Sequence, residues 1–381
     1  MKRLGCILVC FVLLLGLLPI PAKAADLGVE AKSALLMDVA TGTVLFAQNE
    51  HEALAPASVT KVMTMLLIME AIDSGKIGWG DSVTASESAA AKGGSQVYLK
   101  VGETMSVEEM VKSIAVSSAN DCACAMAEHL AGSENAFVEQ MNSRAKELGM
   151  ADTHFVNCTG LDDAEDAVSH KTSAYDIALM SRELLKNHPD ITKFTTIWMD
   201  TIRNGEFGLS NTNKMVRFYN GCTGLKTGFT RGAGYCLSAS AQREGLELIA
   251  VVMGCETSQK RFAACKQMLD YGFANFALIS PKLPEVSQVS VKLGTADSVN
   301  AVPANDGSML IDKGQKNLVT TEVELEPEVT APVSKGQRLG TMTVKAGEQI
   351  LAEIPMVAEA GVEKLTWGQM FLRLLRKVCM K

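Results

Sequence analysis

Ser58 and Lys61 stand three residues apart at the head of a long apolar run, Val62 to Met69. Residues at i and i+3 share one helix face, so a hydroxyl and an amine meet there. A helix apolar on nearly every side belongs inside a domain. Burial lowers a lysine pKa, and the neutral amine can then take the hydroxyl proton, which makes a nucleophile of the serine. The helix N-terminus also favours negative charge developing on that oxygen. The same four residues are equally compatible with Ser58 as a plain N-cap and Lys61 snorkelling outward. Two further sets bear on the choice. Ser118-Ala119-Asn120 falls sixty residues after Ser58, and Lys226-Thr227-Gly228 falls 108 residues after Ser118. Taken singly, Ser118 reads as a cap and Lys226 as a solvated strand end.

The elements that must position these groups follow from periodicity. Ser33 to Asp38 and Thr43 to Ala47 flank Ala40-Thr41-Gly42 and read as a hairpin. The helix that starts at Ser58, with Pro56 as a further start signal, runs unbroken to Gly75. Residues 76–105 read as loops and small helices. Ser106 caps a helix reaching Ala119, with Glu108 and Glu109 in its first turn. Helices from Asp121 to Leu130, Glu134 to Leu148 and Thr172 to Asn187 follow, with a polar loop over Asn157 to His170. Lys226-Thr227-Gly228 opens a strand. Gly234 to Ala241 and Leu246 to Met253 form a second hairpin, and Gln259 to Ala277 a closing helix. Strands at both ends and helices between predict an α+β domain: one antiparallel sheet with the helical insertion packed on a face. After the break at residues 280–284, residues 285–357 alternate in short runs and read as a small all-β domain.

The 381-residue chain has room for two or three such units. Lys2 and Arg3, an apolar stretch from Leu4 to Leu18 and Ala22-Lys23-Ala24 read as a secretory leader, with removal of residues 1–24 and Ala25 starting the mature chain as the expectation; the competing reading is a retained membrane anchor, against which Pro19, Pro21 and the Ala-x-Ala site argue. Losing Lys2, Arg3 and Lys23 takes the net charge from −7 to about −10, which argues against nucleic acid as a partner. Eight cysteines remain, in no C-x-x-C spacing and several within apolar runs; they read as mostly free, buried thiols. The five histidines are scattered, and no metal or cofactor is expected. The tail, residues 362–381, carries Trp367, Phe371, Leu374, Leu375 and Val378 on one helical face. Arg373 and Arg376 lie opposite, with Lys377 and Lys381 at the flank. That pattern fits a helix lying in a membrane surface; the competing reading is a helix docked on the β domain.

S-x-x-K, S-x-N and K-T-G in that order are similar to the signature set of penicillin-binding proteins and class A β-lactamases. The chain further resembles the serine-type D-alanyl-D-alanine carboxypeptidases among the low-molecular-weight penicillin-binding proteins. The resemblance covers Ala31 to Phe276 and rests on five stretches. They are residues 56–65, His154-Phe155-Val156-Asn157, Thr159-Gly160-Leu161, Ser173-Ala174-Tyr175-Asp176 and Gly224-Leu225-Lys226-Thr227-Gly228. The β domain and tail resemble that family's C-terminal half more loosely. The resemblance implies an exported enzyme, associated with the membrane surface, that removes the terminal D-Ala from peptidoglycan stem peptides and is acylated by β-lactams. It implies Ser58 as nucleophile, Lys61 as general base, and Ser118 as proton relay to the leaving amine. Asn120 then holds the substrate peptide, Lys226 supplies positive field, and Thr227 binds the terminal carboxylate. Gly228 lets substrate lie along the strand edge, and the N–H groups of Ser58 and Phe229 form an oxyanion hole. Arg261 is either a further carboxylate-binding group or an ordinary surface arginine. Lys226 in place of Lys61 as first base stays open. Ala119, Cys158 and Thr223 stand where Gly, Pro or His, and Asp are more usual, without removing a reacting group. A β-lactamase and a catalytically weak wall-binding module remain as alternatives. S-A-N in place of S-D-N, together with the β domain and tail, argues against the first; the full set of reacting side chains argues against the second.

Overall fold

The computed structural model describes residues 27–162, 168–281, 287–305 and 307–379, with the side chains of 376–379 excepted. The expected leader, residues 1–24, lies outside the described residues. Strands β1 (Ser33–Asp38) and β2 (Val44–Gln48) form the expected hairpin. A single 3-10 turn, Ala57–Thr60, runs directly into α1 (Lys61–Asp73). Four helices fill the middle: α2 (Val107–Ser117), α3 (Asn120–Ala131), α4 (Glu134–Glu147) and α5 (Ala174–Asn187). Ser106, Ser133 and Ser173 each accept a hydrogen bond from a first-turn N–H, capping α2, α4 and α5. Strands β3 (Cys222–Thr230), β4 (Gly234–Arg243) and β5 (Leu246–Cys255) precede α6 (Ser258–Asn275).

These strands build one antiparallel sheet in the order β2-β1-β5-β4-β3, so the two ends of the α+β region share it. Alternation along each strand sends side chains to opposite faces. Leu35, Met37, Ile249 and Val251 face a core shared with α1, α2, α3 and α5, while Leu36, Leu248, Ala250 and Val252 face Cys265, Met268 and Leu269 of α6. α1 sits at the centre of the first core, with Val62, Met63, Met65, Leu66, Ile68 and Met69 wholly buried. β3 is an edge strand, leaving one side of its backbone unpaired by the sheet.

Several boundaries differ from the sequence reading. β3 begins at Cys222, which puts Lys226-Thr227-Gly228 in the middle of a strand. Residues 76–105 contain all but the last residue of a two-stranded ribbon (Ser82–Thr84 with Thr104–Ser106), too short to show alternation. A second ribbon joins Met199–Ile202 to Phe207–Ser210. The last helix stops at Asn275, because Phe276–Ile279 turns into strand β6 and pairs with β9 (Met309–Asp312).

The C-terminal β domain adds β7 (Gln288–Lys292), β8 (Ser298–Pro303), β10 (Val319–Leu325), β11 (Glu328–Thr330), β12 (Arg338–Ala346) and β13 (Gln349–Ala358). Its six-stranded sheet runs β10-β12-β13-β8-β7-β11 around a core of Leu339, Met342, Val344, Ile354 and Met356. Only β7 and β11 pair in parallel. The tail helix α7 (Trp367–Cys379) starts later than the sequence suggests: Val362 is buried and bridges to Val333 before the helix begins.

Candidate active site

Ser58 lies in the second position of the 3-10 turn, and the turn has no side-chain cap. Its hydroxyl is therefore not spent on the helix. Lys61 Nζ lies 3.0 Å from Ser58 Oγ and donates to the Thr159 carbonyl at 2.7 Å. The lysine is wholly buried, and burial pushes its amine down to about 7. Neutral amine at ordinary pH can accept the Ser58 proton across that contact.

The carbonyl that holds Lys61 is itself fixed. Asn157 Oδ1 accepts from the N–H groups of Thr159 (3.1 Å) and Gly160 (2.6 Å), and its Nδ2 donates to the Leu161 carbonyl at 3.0 Å. Thr64 Oγ1, one turn along α1 from Lys61, donates to the Cys158 carbonyl at 2.6 Å. The nucleophile's own turn is braced from behind. Val156 N–H donates to His170 Nδ1, which leaves Nε2 protonated and donating to Thr60 Oγ1 at 2.8 Å. Thr60 Oγ1 in turn donates to the Ala57 carbonyl at 2.8 Å. Ala57 needs that support because it adopts φ +48°. Gly160 closes against the same carbonyl, where a Cβ would lie 1.9 Å from Ala57 O.

Ser118 ends α2 in a left-handed conformation, φ +64° and ψ +29°. A non-glycine residue held there stores strain, which active sites commonly do. Among the described residues Ser118 Oγ and Asn120 Oδ1 are both buried with no hydrogen-bond partner, while Asn120 Nδ2 donates to the Gly93 carbonyl at 2.7 Å. Buried acceptors without partners carry a cost, so these two atoms are ready for an incoming ligand.

On the facing strand Lys226 is buried, and Nζ donates to the Thr227 carbonyl at 2.9 Å. Burial pushes its amine well down, with repulsion from Lys61 and then Arg261 adding to it. Of the two lysines, Lys61 makes the contact with Ser58. Thr227 Oγ1 donates to Thr212 Oγ1 at 2.7 Å, and Thr212 N–H reaches the Val116 carbonyl at the end of α2. Gly228 has a cause the sequence does not show. A Cβ there would lie 2.6 Å from Pro56 O and 3.1 Å from Val59 N, so the strand can approach the Ser58 turn only without a side chain. Phe229 is half-exposed and stacks on Tyr235 with ring centroids 4.3 Å apart.

Arg261 is not an ordinary surface arginine. It lies buried behind β3, where Nη1 donates to the carbonyls of Gly228 (3.0 Å) and Cys236 (3.3 Å), between the rings of Tyr235 and Phe262. Cys158, beside Thr159, is a buried thiol donating to Glu134, which Lys92 pairs at 2.5 Å. The seven cysteines whose side chains are described are free thiols. Away from the cleft, Glu70, Glu183 and His188 place ligand atoms within 4.8 Å, but Arg144 already binds both carboxylates.

Residues 21–257 match the family model described as D-alanyl-D-alanine carboxypeptidase, and residues 281–364 match the penicillin-binding protein 5 C-terminal domain. The chain belongs to the D-alanyl-D-alanine carboxypeptidase family. Among its relatives is the D-alanyl-D-alanine carboxypeptidase DacF of Bacillus subtilis (strain 168), 43% identical over 96% of this chain and 95% of that one. Penicillin-binding protein 5 from Haemophilus influenzae superposes with a TM-score of 0.74 at 31% identity, covering 88% of this chain and 98% of that one. Penicillin-binding protein D2 from Listeria monocytogenes in its ampicillin-bound form has a TM-score of 0.60 at 31% identity, covering 65% of this chain and 100% of that one. The α+β region with its C-terminal β domain is thus the penicillin-binding protein architecture of this carboxypeptidase family.

Proposed function

We propose that this chain is a serine D,D-carboxypeptidase acting on peptidoglycan stem pentapeptides, with Ser58 as the acylated nucleophile. The observation that carries the reading is the 3.0 Å contact between Ser58 Oγ and a wholly buried Lys61 amine. Ser58 Oγ attacks the carbonyl of the penultimate D-Ala while Lys61 takes its proton. The N–H groups of Ser58 and Phe229 receive the oxyanion; the close packing of Gly228 on the Ser58 turn supports that pairing. Collapse breaks the peptide bond, and Lys61 returns the proton to the leaving amine of D-Ala through Ser118. Water then hydrolyses the ester and frees Ser58. Asn120 holds the substrate amide and Thr227 the terminal carboxylate, in the positive field of Lys226. Arg261 acts at one remove: its bonds to the Gly228 carbonyl fix the strand on which Thr227 sits. No cofactor enters these steps. β-Lactams acylate the same serine and deacylate slowly.

The test is D-Ala release from Nα,Nε-diacetyl-L-Lys-D-Ala-D-Ala with and without benzylpenicillin. Release that penicillin abolishes is expected. Rapid nitrocefin hydrolysis without D-Ala release would instead make the chain a β-lactamase.

The same reading places the enzyme at the outer face of the cytoplasmic membrane, with α7 as the contact. Among the described residues no helix is long and apolar enough to cross a membrane. α7 leaves Trp367, Phe371 and Leu374 exposed, while Arg373 turns inward to the Gly294 carbonyl and Asp297. An apolar face left in solvent and a helix tied down by its polar side suit a lipid interface. Co-sedimentation with phosphatidylglycerol vesicles should occur and should weaken in Trp367→Ser/Phe371→Ser. Binding unchanged in that variant would remove α7 as the contact.

A further inference from the structure

Beside Thr227 the cleft contains a residue that belongs to none of the three motifs. Thr212 lies half-buried in the loop between the ribbon strand Phe207–Ser210 and the short helix Met215–Phe218. A buried asparagine pins that loop on either side. Asn211 Nδ2 donates to the carbonyls of Thr195 (3.3 Å) and Ile197 (2.7 Å), and its Oδ1 accepts from the Asn213 N–H at 2.8 Å. Asn213 Nδ2 donates to the Gly224 carbonyl of β3 at 2.9 Å, and its Oδ1 accepts from the Met215 N–H at 3.1 Å. None of these bonds uses the Thr212 side chain.

Thr212 is thereby held between the two walls. Its N–H reaches the Val116 carbonyl at 3.2 Å, two residues before Ser118. On the strand side its Oγ1 accepts from Thr227 Oγ1 at 2.7 Å. A hydroxyl has one proton to donate and two lone pairs to accept with. Thr227 engages one lone pair, and the Thr212 proton has no acceptor among the described residues. The two hydroxyls therefore form a ready pair of donors. Thr227 can turn its proton from Thr212 to an arriving carboxylate, and Thr212 can offer its own to the second oxygen. Hydrogen bonds to a charged acceptor are stronger than the hydroxyl–hydroxyl bond they replace.

We propose that Thr212 is a specificity-determining residue for the reaction: its hydroxyl donates to the free C-terminal carboxylate beside Thr227, so that peptides ending in a carboxylate are chosen over those whose C-terminus is blocked. This rests on the carboxypeptidase reading and assigns to it a residue outside the three motifs. The pinned asparagines on both sides hold the hydroxyl in place before substrate arrives, so little ordering is left for binding to supply.

The experiment compares two peptides on the full chain: Nα,Nε-diacetyl-L-Lys-D-Ala-D-Ala and its C-terminal amide. The ratio of their kcat/KM values is the readout, since it cancels any general loss of folded enzyme. Wild type favours the free acid. Thr212→Val keeps the shape and the backbone bond to Val116 but removes the hydroxyl. It lowers the ratio about tenfold, the order of one hydrogen bond to a charged group, by slowing the acid and sparing the amide. Thr212→Ser restores the hydroxyl and keeps the wild-type ratio. A ratio near one in wild type, or a Thr212→Val ratio equal to or above that of wild type, overturns the assignment while leaving the carboxypeptidase intact. Failure of the wild type to hydrolyse the free acid would strike the parent reading, and the assignment with it.

Discussion

The two halves of the chain use burial differently. Every buried polar or charged residue among those described lies between Ser33 and Arg261. Within that span two lysines and an arginine are buried around one cleft, Ser118 is held left-handed, and Ser118 and Asn120 keep unpartnered oxygens. The β domain instead buries Val, Leu, Met, Ile and Ala. Isolated buried charge is costly, and a domain kept only for stability has no reason to carry it. The first half tolerates that cost for chemistry; the second has a purely apolar core.

Substitutions should separate the two. Lys61→Met should show the contrast most sharply. It removes the base while keeping an unbranched side chain only one atom shorter, so kcat/KM should fall by about 10³-fold. The melting temperature should not fall, because a desolvated amine has been replaced by a thioether. Parallel loss of activity and stability would mean that Lys61 is structural. In the intact enzyme kcat/KM for the acylation step should rise with pH through about 7, since the neutral amine is the active form and burial sets its pKa there. A flat profile between pH 5 and 9 would remove Lys61 as the base.

Gly228→Ala comes next, with a loss of about 10²-fold, because the new methyl would meet Pro56 O at 2.6 Å and push the strand off the Ser58 turn. Activity close to wild type would show that the turn can yield. Asn157→Ala should cost about tenfold. It should also move the acidic inflection to lower pH, since the Thr159 carbonyl that stabilises the charged amine is released. A uniform loss without a shift would make Asn157 a folding residue only. The smallest effect on turnover belongs to the β domain. Leu339→Ala should destabilise that domain by about 3 kcal/mol by thermal unfolding, while kcat/KM on a soluble peptide changes by less than about twofold. A large drop in turnover would couple the halves and end the contrast.

Much of this was legible in the sequence, for a physical reason. Helical spacing is written in residue order, so the pairing of Ser58 with Lys61 could be read directly, whereas Ser118, Asn120 and the Lys226 strand were picked out by their resemblance to a known motif set. The shared sheet and the Ser106 cap could also be read directly. What escaped was carried by backbone or by distant partners. The Thr159 carbonyl that holds Lys61 has no side-chain signature. Asn157 and Gly160 lay in motifs picked out by resemblance, but their task, setting that carbonyl and admitting Ala57 O, appears only in three dimensions. Thr212 and His170 come from loops with no periodicity. Gly228 was visible as a residue, yet its closest neighbour is the nucleophile's own turn, 170 residues earlier in the chain at Ser58. Arg261 could not be placed because its partners, two strand carbonyls, are invisible to pattern. The late start of α7 was hidden because a short bridge at Val362 has too few residues to alternate.

The central claim is that Ser58 is the atom acylated. Intact-protein mass spectrometry after brief exposure to benzylpenicillin tests it directly. The account predicts one penicilloyl adduct per chain in the wild type and none in Ser58→Ala. An unmodified wild-type chain, or an adduct that persists in Ser58→Ala, would contradict it.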